Sequence, residues 1–175
     1  MDEIIDIRES GPHDLASIEA LYPDAFPDED LLPLVKELLQ DPSVALSLVG
    51  MKGSSLVAHV VLTPCGIAGA DAKVALLGPL AVASAFQRQG IGSAMIRSGL
   101  QRLEDSGVVQ AYVLGDPDYY GRLGFSSETQ VAPPYPLPTE WRGAWQSISL
   151  GRAEPPRQGH LAPPEVWLRP ALWLP

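Results

Sequence analysis

Hydrophobic and polar positions repeat with two different periods along this chain of 175 residues. Apolar residues three or four positions apart indicate amphipathic helices, whereas alternating or continuous short apolar runs indicate β-strands. The predicted order is strand, helix, helix, three strands, helix, strand, helix and an irregular tail. The predicted strands cover residues 3–10, 43–50, 55–64, 73–83 and 107–115, and the predicted helices cover 12–26, 27–41, 90–104 and 116–124.

Prolines, glycines and acids refine several of these boundaries. Pro12 opens the first helix near its first turn, and Pro23 is predicted to end that helix. The acids at 28–30 are predicted to lie in the first turn of the second helix, where the helix dipole favours negative charge. Gly78-Pro79 interrupts an apolar strand, and because proline has no backbone donor we expect a bulge or kink there.

The length and composition indicate one mixed α/β domain, 1–175, with a packed core. A net charge of −9 disfavours nucleic acid as a partner, because proteins that neutralise phosphates normally present a basic surface. The single cysteine, Cys65, excludes an intramolecular disulfide and a multi-cysteine metal site, and we expect no metal. The acidic first ten residues and the short apolar runs predict a cytoplasmic protein without a membrane partner.

The last part of the chain differs in composition from the rest. Ten of the eighteen prolines and all four tryptophans lie within residues 133–175. Prolines prevent long regular elements, whereas tryptophans supply large apolar surfaces that a disordered linker would not need. We therefore expect a core at 1–130 and a segment 131–175 that packs on this core or at a homodimer interface, with one short strand at 145–151.

Charge is also unevenly distributed, since residues 73–103 hold four bases and no acid. This basic stretch contains Gln87-Arg88-Gln89-Gly90-Ile91-Gly92, which follows an apolar strand and opens a helix. Such a turn presents backbone N–H groups at the positive end of a helix dipole and can bind an anion, although its glycines can also serve only a tight turn. Met95 occupies the third small-residue position of a dinucleotide fingerprint, and the Gly-Lys-Ser/Thr of a P-loop is missing, so neither motif fits.

The remaining pattern, Q/R-x-x-G-x-G/A at 87–92 after an apolar strand, resembles the acetyl-CoA pyrophosphate loop of the GNAT superfamily of N-acetyltransferases. A second segment, DPDYYGRLGF at 116–125, is similar to the short helix that follows a strand in this family, especially in its YhbS-like bacterial branch. The resemblance covers about residues 3–126 in element order. It implies a mixed, mostly antiparallel sheet that is splayed between its fourth and fifth strands and has helices on both faces.

The resemblance further implies that acetyl-CoA is the cosubstrate and lies in the opening of the sheet. Backbone N–H groups of the loop would bind its pyrophosphate, and the fourth strand would offer backbone groups to the pantetheine and to the thioester carbonyl, where they stabilise the developing oxyanion. The residues implied in this binding are Leu80, Ala81, Val82, Gln87, Arg88, Gln89, Gly90, Ile91, Gly92 and Ser93.

Tyr120 matches the family's tyrosine and would protonate the leaving thiolate as a general acid, whereas its neighbour Tyr119 is expected to pack. The base is less defined, because the strand 73–83 contains no carboxylate. His59 is a candidate base, since its ordinary pKa suits proton uptake near neutrality, with a structural histidine and a water relay as alternatives. Asp116 is expected to act as a helix N-cap.

The resemblance places the acceptor between the first two helices and the open side of the sheet. The implied contacts are Tyr22, Asp28 and Glu29, whose carboxylates would attract a cationic amine, and a solvated loop is the alternative. The implied function is acetyl transfer from acetyl-CoA to a primary amine, small or peptidic, by direct attack in a ternary complex rather than through Cys65. A non-catalytic acyl-CoA sensor or an interaction protein with the same fold is the alternative function.

Overall fold

The computed structural model describes residues 5–174, and the element order predicted from the sequence is confirmed as far as the short helix at 117. Positions 3 and 4 of the first predicted strand lie outside the described residues. The strands are β1 (Asp6–Glu9), β2 (Leu46–Lys52), β3 (Ser55–Ala68), β4 (Ala70–Val82), β5 (Gln110–Leu114), β6 (Ser126–Ser127), β7 (Val131–Ala132), β8 (Trp145–Ser149) and β9 (Gly159–Ala162). The helices are α1 (Leu15–Ala25), α2 (Leu32–Gln40), α3 (Ile91–Asp105) and α4 (Pro117–Gly121).

The chain forms two compact units. The first unit comprises Met1–Leu62 and Gly78–Gly99, and the second comprises Thr63–Leu77 and Leu100–Pro175. Three elements, β3, β4 and α3, contribute residues to both units. The predicted single domain 1–175, with its division at residue 130, stays a prediction.

In the first unit, β2 pairs antiparallel with β1 and β3 and carries helices on both faces. Val49 packs in one apolar cluster with Tyr22 of α1 and Val35 of α2. The next residue, Gly50, faces the other side, where a Cβ would lie 2.9 Å from the sulfur of Met95 in α3. Successive strand residues point to opposite faces, so the predicted helices on both faces are confirmed here.

Helix α1 continues past the proline that was predicted to end it. Pro23 lies inside the helix, which extends to Ala25, so that prediction is wrong. A proline in the last turn removes one bond, to the carbonyl four residues earlier, without preventing the turn itself. The Phe26 N–H donates to the Tyr22 carbonyl at 2.8 Å and closes this last turn.

Helix α2 begins later than the sequence predicted. Its first residue is Leu32, and Pro33 follows in the first turn, where the fixed φ of proline favours a helix start. The acids at 28–30 therefore precede the helix, and the prediction that they occupy its first turn is wrong. The end of the helix at Asp41 is confirmed.

In the second unit, β4 and β5 form a parallel pair within an otherwise mostly antiparallel sheet. Val74–Leu76 pairs with Gln110–Tyr112. On its other side β5 pairs with β8 as far as Leu114, so its pairing with β8 extends two residues beyond its pairing with β4. β8 also pairs antiparallel with β6, and β9 pairs antiparallel with β3 and parallel with β7. The mixed, mostly antiparallel class predicted from the sequence is confirmed. The part of β4 that belongs to the first unit begins at Gly78. Gly78 has a φ of 129°, so the backbone departs from regular strand geometry there, as predicted.

Three of the four tryptophans of the C-terminal segment form a buried aromatic cluster in the second unit. The rings of Trp145 and Trp173 lie 5.8 Å apart, and those of Trp167 and Trp173 lie 6.3 Å apart. The Trp167 indole N–H donates to the Thr63 hydroxyl at 3.2 Å, so this polar group is satisfied although its ring is buried. The short strand predicted at 145–151 is confirmed as β8, whereas β6, β7 and β9 were not predicted.

Helix α4 is shorter than predicted. It ends at Gly121 rather than at Gly124, which has a left-handed φ of 99°. The Asp116 carboxylate accepts a hydrogen bond from the Asp118 N–H at 3.0 Å, so the predicted N-cap is confirmed. This cap fixes the start of the helix that carries Tyr120.

Candidate functional site

The turn between β4 and α3 has the backbone of an anion site. Arg88 has a φ of 62° and Gly90 a φ of 82°, both in the left-handed region, and Arg88 is the only non-glycine residue of the described chain in that region. The first backbone bond of α3 runs from the Ala94 N–H to the Gly90 carbonyl at 3.1 Å. The N–H groups of residues 91–93 precede it and therefore have no partner within the helix.

The space in front of this turn is open. Among the described residues other than Gly90 and its two chain neighbours, no atom lies within 4 Å of the position that a Cβ on Gly90 would occupy. Gly92, in contrast, lies buried in the first turn of α3. The Gly90 conformation meets the requirement of a tight turn, while the open space and the exposed cationic side chain of Arg88 fit an anion such as a pyrophosphate.

Two side-chain amides in the first half of the turn bond back to the chain that precedes it. The Gln87 amide donates to the Val82 carbonyl at 3.0 Å, and the Gln89 amide donates to the Ala85 carbonyl at 3.4 Å. At the end of β4, Ala81 is buried in the apolar cluster of α1 and α2, while Leu80 and Val82 alternate with it and are half-buried. The predicted cosubstrate residues 80–82 and 87–93 are thus brought together in the first unit.

Tyr120 lies in the second unit, against the end of β5. Its ring makes edge-to-face contacts with Tyr119 at 5.0 Å and Phe125 at 5.5 Å between centroids. Burial, and secondarily the neighbouring Tyr119, raises the pKa of the Tyr120 hydroxyl. The side chain therefore stays protonated at neutral pH, as a general acid must. Its role stays a prediction.

Gly115 is a site residue that the sequence did not single out. A Cβ at this position would lie 2.5 Å from Cε2 of Tyr120, so the ring lies directly over the Gly115 backbone. The Gly115 N–H donates to the Ala144 carbonyl at 2.9 Å, and the Gln146 amide donates to the Gly115 carbonyl at 3.0 Å. The strand end is therefore held in place, and only glycine allows the tyrosine ring to approach it this closely.

His59 is fully buried, with 0% of its surface exposed, and both ring nitrogens have partners. Nδ1 lies 2.7 Å from the Tyr22 hydroxyl and Nε2 lies 2.8 Å from the Ser47 hydroxyl. Burial lowers the pKa of His59 to about 4, so the ring is neutral at neutral pH. This geometry favours the structural histidine that the sequence left as an alternative, and a base role for His59 stays a prediction.

The predicted acceptor residues do not share one environment. Tyr22 is 1% exposed and points its hydroxyl at His59, and burial raises its pKa. Asp28 and Glu29 are exposed between α1 and α2. Their carboxylates can attract a cation from solution, whereas Tyr22 contributes to the core in this conformation.

Several other features of the described chain bear on the chemistry. Residues 5–174 contain no group of three or more His, Cys, Asp and Glu side chains that could hold a metal ion. Burial raises the pKa of Cys65 to about 12, and its thiol donates to the Thr63 carbonyl, which disfavours a nucleophilic thiolate.

None of the helices described is long and apolar enough to cross a membrane. The second unit also holds a cavity of about 640 Å³, lined by segment 127–137 with Arg142, Gly143, Trp145 and His160.

Comparisons with known proteins agree with this arrangement. Residues 14–125 match the model of the Acetyltransferase (GNAT) family. The chain is 32% identical over 155 residues to an uncharacterized N-acetyltransferase of Escherichia coli, YjhQ, covering 85% of this chain and 86% of the relative. A crystal structure of Escherichia coli YhbS in complex with CoA matches with a TM-score of 0.83 and 26% identity, over 94% of this chain and 92% of that chain.

A second solved structure, a GNAT family acetyltransferase from Brucella melitensis in complex with acetyl-CoA, has a TM-score of 0.75 and 28% identity. It matches over 94% of this chain and 99% of that chain. The family match spans both predicted motifs, the loop at 87–92 and the segment at 116–125. The chain therefore belongs to the GNAT family of acetyltransferases.

Proposed function

We propose that this protein is an N-acetyltransferase that transfers an acetyl group from acetyl-CoA to a primary amine by direct attack in a ternary complex. The observation that carries the proposal is the turn at 87–93, with two left-handed residues, amides ahead of the first helical bond and open space before Gly90. The complexes of the Brucella protein with acetyl-CoA and of YhbS with CoA support the choice of anion.

The backbone of the first unit would bind and orient the cosubstrate. Acetyl-CoA supplies the activated acetyl group, and the N–H groups of residues 88–93 would donate to its pyrophosphate. Backbone groups of residues 80–82 would hold the pantetheine amides, and an N–H aimed at the thioester carbonyl would stabilise negative charge on that oxygen during attack. The identity of the side chains matters less there than the backbone geometry.

Tyr120 would donate its proton to the departing thiolate sulfur. Burial keeps the hydroxyl protonated, since it raises the pKa of Tyr120. The amine must lose a proton as the new C–N bond forms. Because β4 carries no carboxylate between residues 73 and 82, we propose that water accepts this proton.

A turnover assay tests the proposal. The release of free CoA thiol is measured with the purified protein, acetyl-CoA and a panel of primary amines, and acetylated product is identified by mass spectrometry. Stoichiometric thiol release and product with at least one amine support the function. Binding of acetyl-CoA without turnover on any amine would favour the alternative of an acyl-CoA sensor, and no binding at all would favour an interaction protein.

Replacing both Asp28 and Glu29 by Asn and Gln tests whether the exposed acids recruit a cationic acceptor. We expect the KM for a polyamine such as spermidine to rise about three- to tenfold, with the KM for acetyl-CoA unchanged, because two unit charges attract a cation only weakly across water. The KM for a singly charged amine should change less. An unchanged KM for spermidine would contradict a charge role of these two residues.

The variant Gly90→Glu tests the pyrophosphate turn. A side chain at a φ of 82° strains the backbone by about 1–2 kcal/mol, and its carboxylate would occupy the space meant for an anion. We expect the Kd for acetyl-CoA, measured by calorimetry, to rise more than tenfold. The matched control is Gly69→Glu, since Gly69 has a φ of 87° and the same open surroundings among the described residues. Equal losses in both variants would contradict a specific role of Gly90.

The variant Gly115→Ala tests the placement of Tyr120. The added methyl would force the ring to move, because its position lies 2.5 Å from Cε2 in the present structure. We expect kcat to fall about tenfold or more with the KM for acetyl-CoA nearly unchanged, since a displaced acid loses alignment with the leaving group. Gly121→Ala is the control, because a Cβ there would have no described atom within 4 Å apart from its chain neighbours and the backbone of its own helix. Wild-type kcat in Gly115→Ala would show that the ring position does not matter.

A further inference from the structure

Asp24 makes a contact that its place in the sequence does not explain. It lies in the last turn of α1, where a negative charge is disfavoured by the helix dipole. Its side chain is exposed, so water could hydrate the carboxylate and no contact with the protein is required there. A residue that contradicts a local rule in this way calls for a compensating contact elsewhere.

The compensating contact is to Ser84, sixty residues further along the chain. Oδ2 of Asp24 accepts from the Ser84 backbone N–H at 2.8 Å, and Oδ1 accepts from the Ser84 hydroxyl at 2.8 Å. These two bonds lower the pKa of the Asp24 carboxyl, the backbone bond contributing most. Both residues belong to the first unit.

Ser84 begins the short 3-10 turn Ser84–Phe86, which joins the end of β4 to the turn at 87–93. The residue at the N-cap of this 3-10 turn is Ala83, whose side chain cannot accept a hydrogen bond. Asp24 therefore supplies the capping oxygen from a different element. The turn is closed at its other end by the Phe86 N–H, which donates to the Ala83 carbonyl at 2.8 Å.

We infer that Asp24 is a positioning residue for acetyl-CoA: by fixing Ser84, it sets where the pyrophosphate turn starts. This inference rests on the proposed function. Asp24 does not touch the cosubstrate and acts through the backbone of residues 84–87. Preorganising a turn in its binding conformation raises affinity because less ordering remains to be done on binding. The loss of Asp24 should therefore weaken binding of acetyl-CoA and leave the chemical step unchanged.

The experiment measures the Kd for acetyl-CoA and for CoA by calorimetry, and kcat with both KM values, in the wild type and in Asp24→Asn. Asparagine keeps the size of the side chain but offers one acceptor oxygen instead of two. We expect the Kd and the KM for acetyl-CoA to rise about tenfold, which is about 1.4 kcal/mol, with kcat and the KM of the amine within twofold of the wild type.

Asp41→Asn is the matched control. Oδ1 of Asp41 accepts from the backbone N–H of Ser43 at 2.9 Å and from its hydroxyl at 2.6 Å, so a single carboxylate oxygen binds the same two serine donors in a loop after α2. Asp41→Asn should leave the Kd for acetyl-CoA unchanged. A second pair of variants, Ser84→Ala and Ser84→Thr, tests the partner: the alanine should weaken binding non-additively with Asp24→Asn, and the threonine, which keeps the hydroxyl, should restore it.

The outcomes separate this inference from the proposed function. If the wild type does not bind acetyl-CoA, the proposed function fails. If the wild type binds and Asp24→Asn binds equally well, the inference is overturned while the proposed function stands. A rise in the KM of the amine alone would also overturn it, since Asp24 would then act on the acceptor rather than on the pyrophosphate turn.

Discussion

Replacing Tyr120 by Phe is expected to lower kcat by about 10²–10⁴-fold, the usual contribution of a general acid. The thiolate of CoA is expelled as the acetyl group moves to the amine, and a protonated phenol beside the sulfur removes the cost of releasing it as an anion. Burial raises the pKa of Tyr120, which keeps its proton available at neutral pH. The measurement is steady-state kinetics with the best amine found in the turnover assay.

The neighbouring Tyr119 provides the control for this variant. Its ring makes an edge contact with that of Tyr120 at 5.0 Å, so Tyr119→Phe removes a hydroxyl from the same pair of rings. We expect Tyr119→Phe to keep kcat within about threefold of the wild type, and both variants to keep the Kd for CoA. A loss below tenfold in Tyr120→Phe, or equal losses in both variants, would contradict the assigned acid.

Stability is expected to fall as the pH is lowered from about 6.5 to about 4, because of His59. Burial lowers the pKa of this histidine in the folded state from 6.5 to about 4, so the folded state binds fewer protons than the unfolded state in that range. The stabilisation is fully present above pH 6.5 and is lost as the pH approaches 4. The lowered pKa corresponds to about 3 kcal/mol in the free energy of unfolding.

Urea unfolding between pH 4 and pH 7 measures this effect. His59→Asn keeps a polar group at the position of Nδ1, toward Tyr22, but cannot titrate, so its stability should change less over that range than that of the wild type. His160→Asn, at an exposed position, should behave as the wild type. Asp14 acts at lower pH, since the Arg8 guanidinium 2.7 Å away lowers its pKa to about 2. A wild type with constant stability from pH 6.5 to 4 would contradict a buried neutral His59.

Much of the fold was predictable because its regular elements carry periodic patterns. The short apolar runs of β2 and β3, the helical period of α3 and the glycine pair at 90 and 92 are all local in sequence. The strands β7 and β9 have two and four residues, too few for any period to show, and they exist because of pairing with distant partners. Their prediction would have required knowledge of the tertiary structure.

The part of the site that is formed by a local backbone turn was predictable from the sequence. The parts in which side chains from distant positions meet were not. The glycines of the turn at 87–93 indicate this part of the site in the sequence, whereas the hydrogen bond between Ser84 and Asp24 joins residues sixty positions apart. His59 was recognised as a titratable group on an apolar strand, but its partners Tyr22 and Ser47 come from α1 and β2. The unfavourable position of Asp24, an acid in the last turn of a helix, is evident only in the structure, because Pro23 was predicted to end α1 before this residue.

The most direct test is thermal unfolding of the wild type with and without acetyl-CoA. Ligand at 100 times its Kd should stabilise the folded protein by about 2.7 kcal/mol, which for this chain length raises the Tm by about 5–10 °C. Gly69→Glu should keep this increase and Gly90→Glu should lose most of it. An unchanged Tm of the wild type at millimolar acetyl-CoA would contradict acetyl-CoA binding and leave Gly90 as the residue of a tight turn.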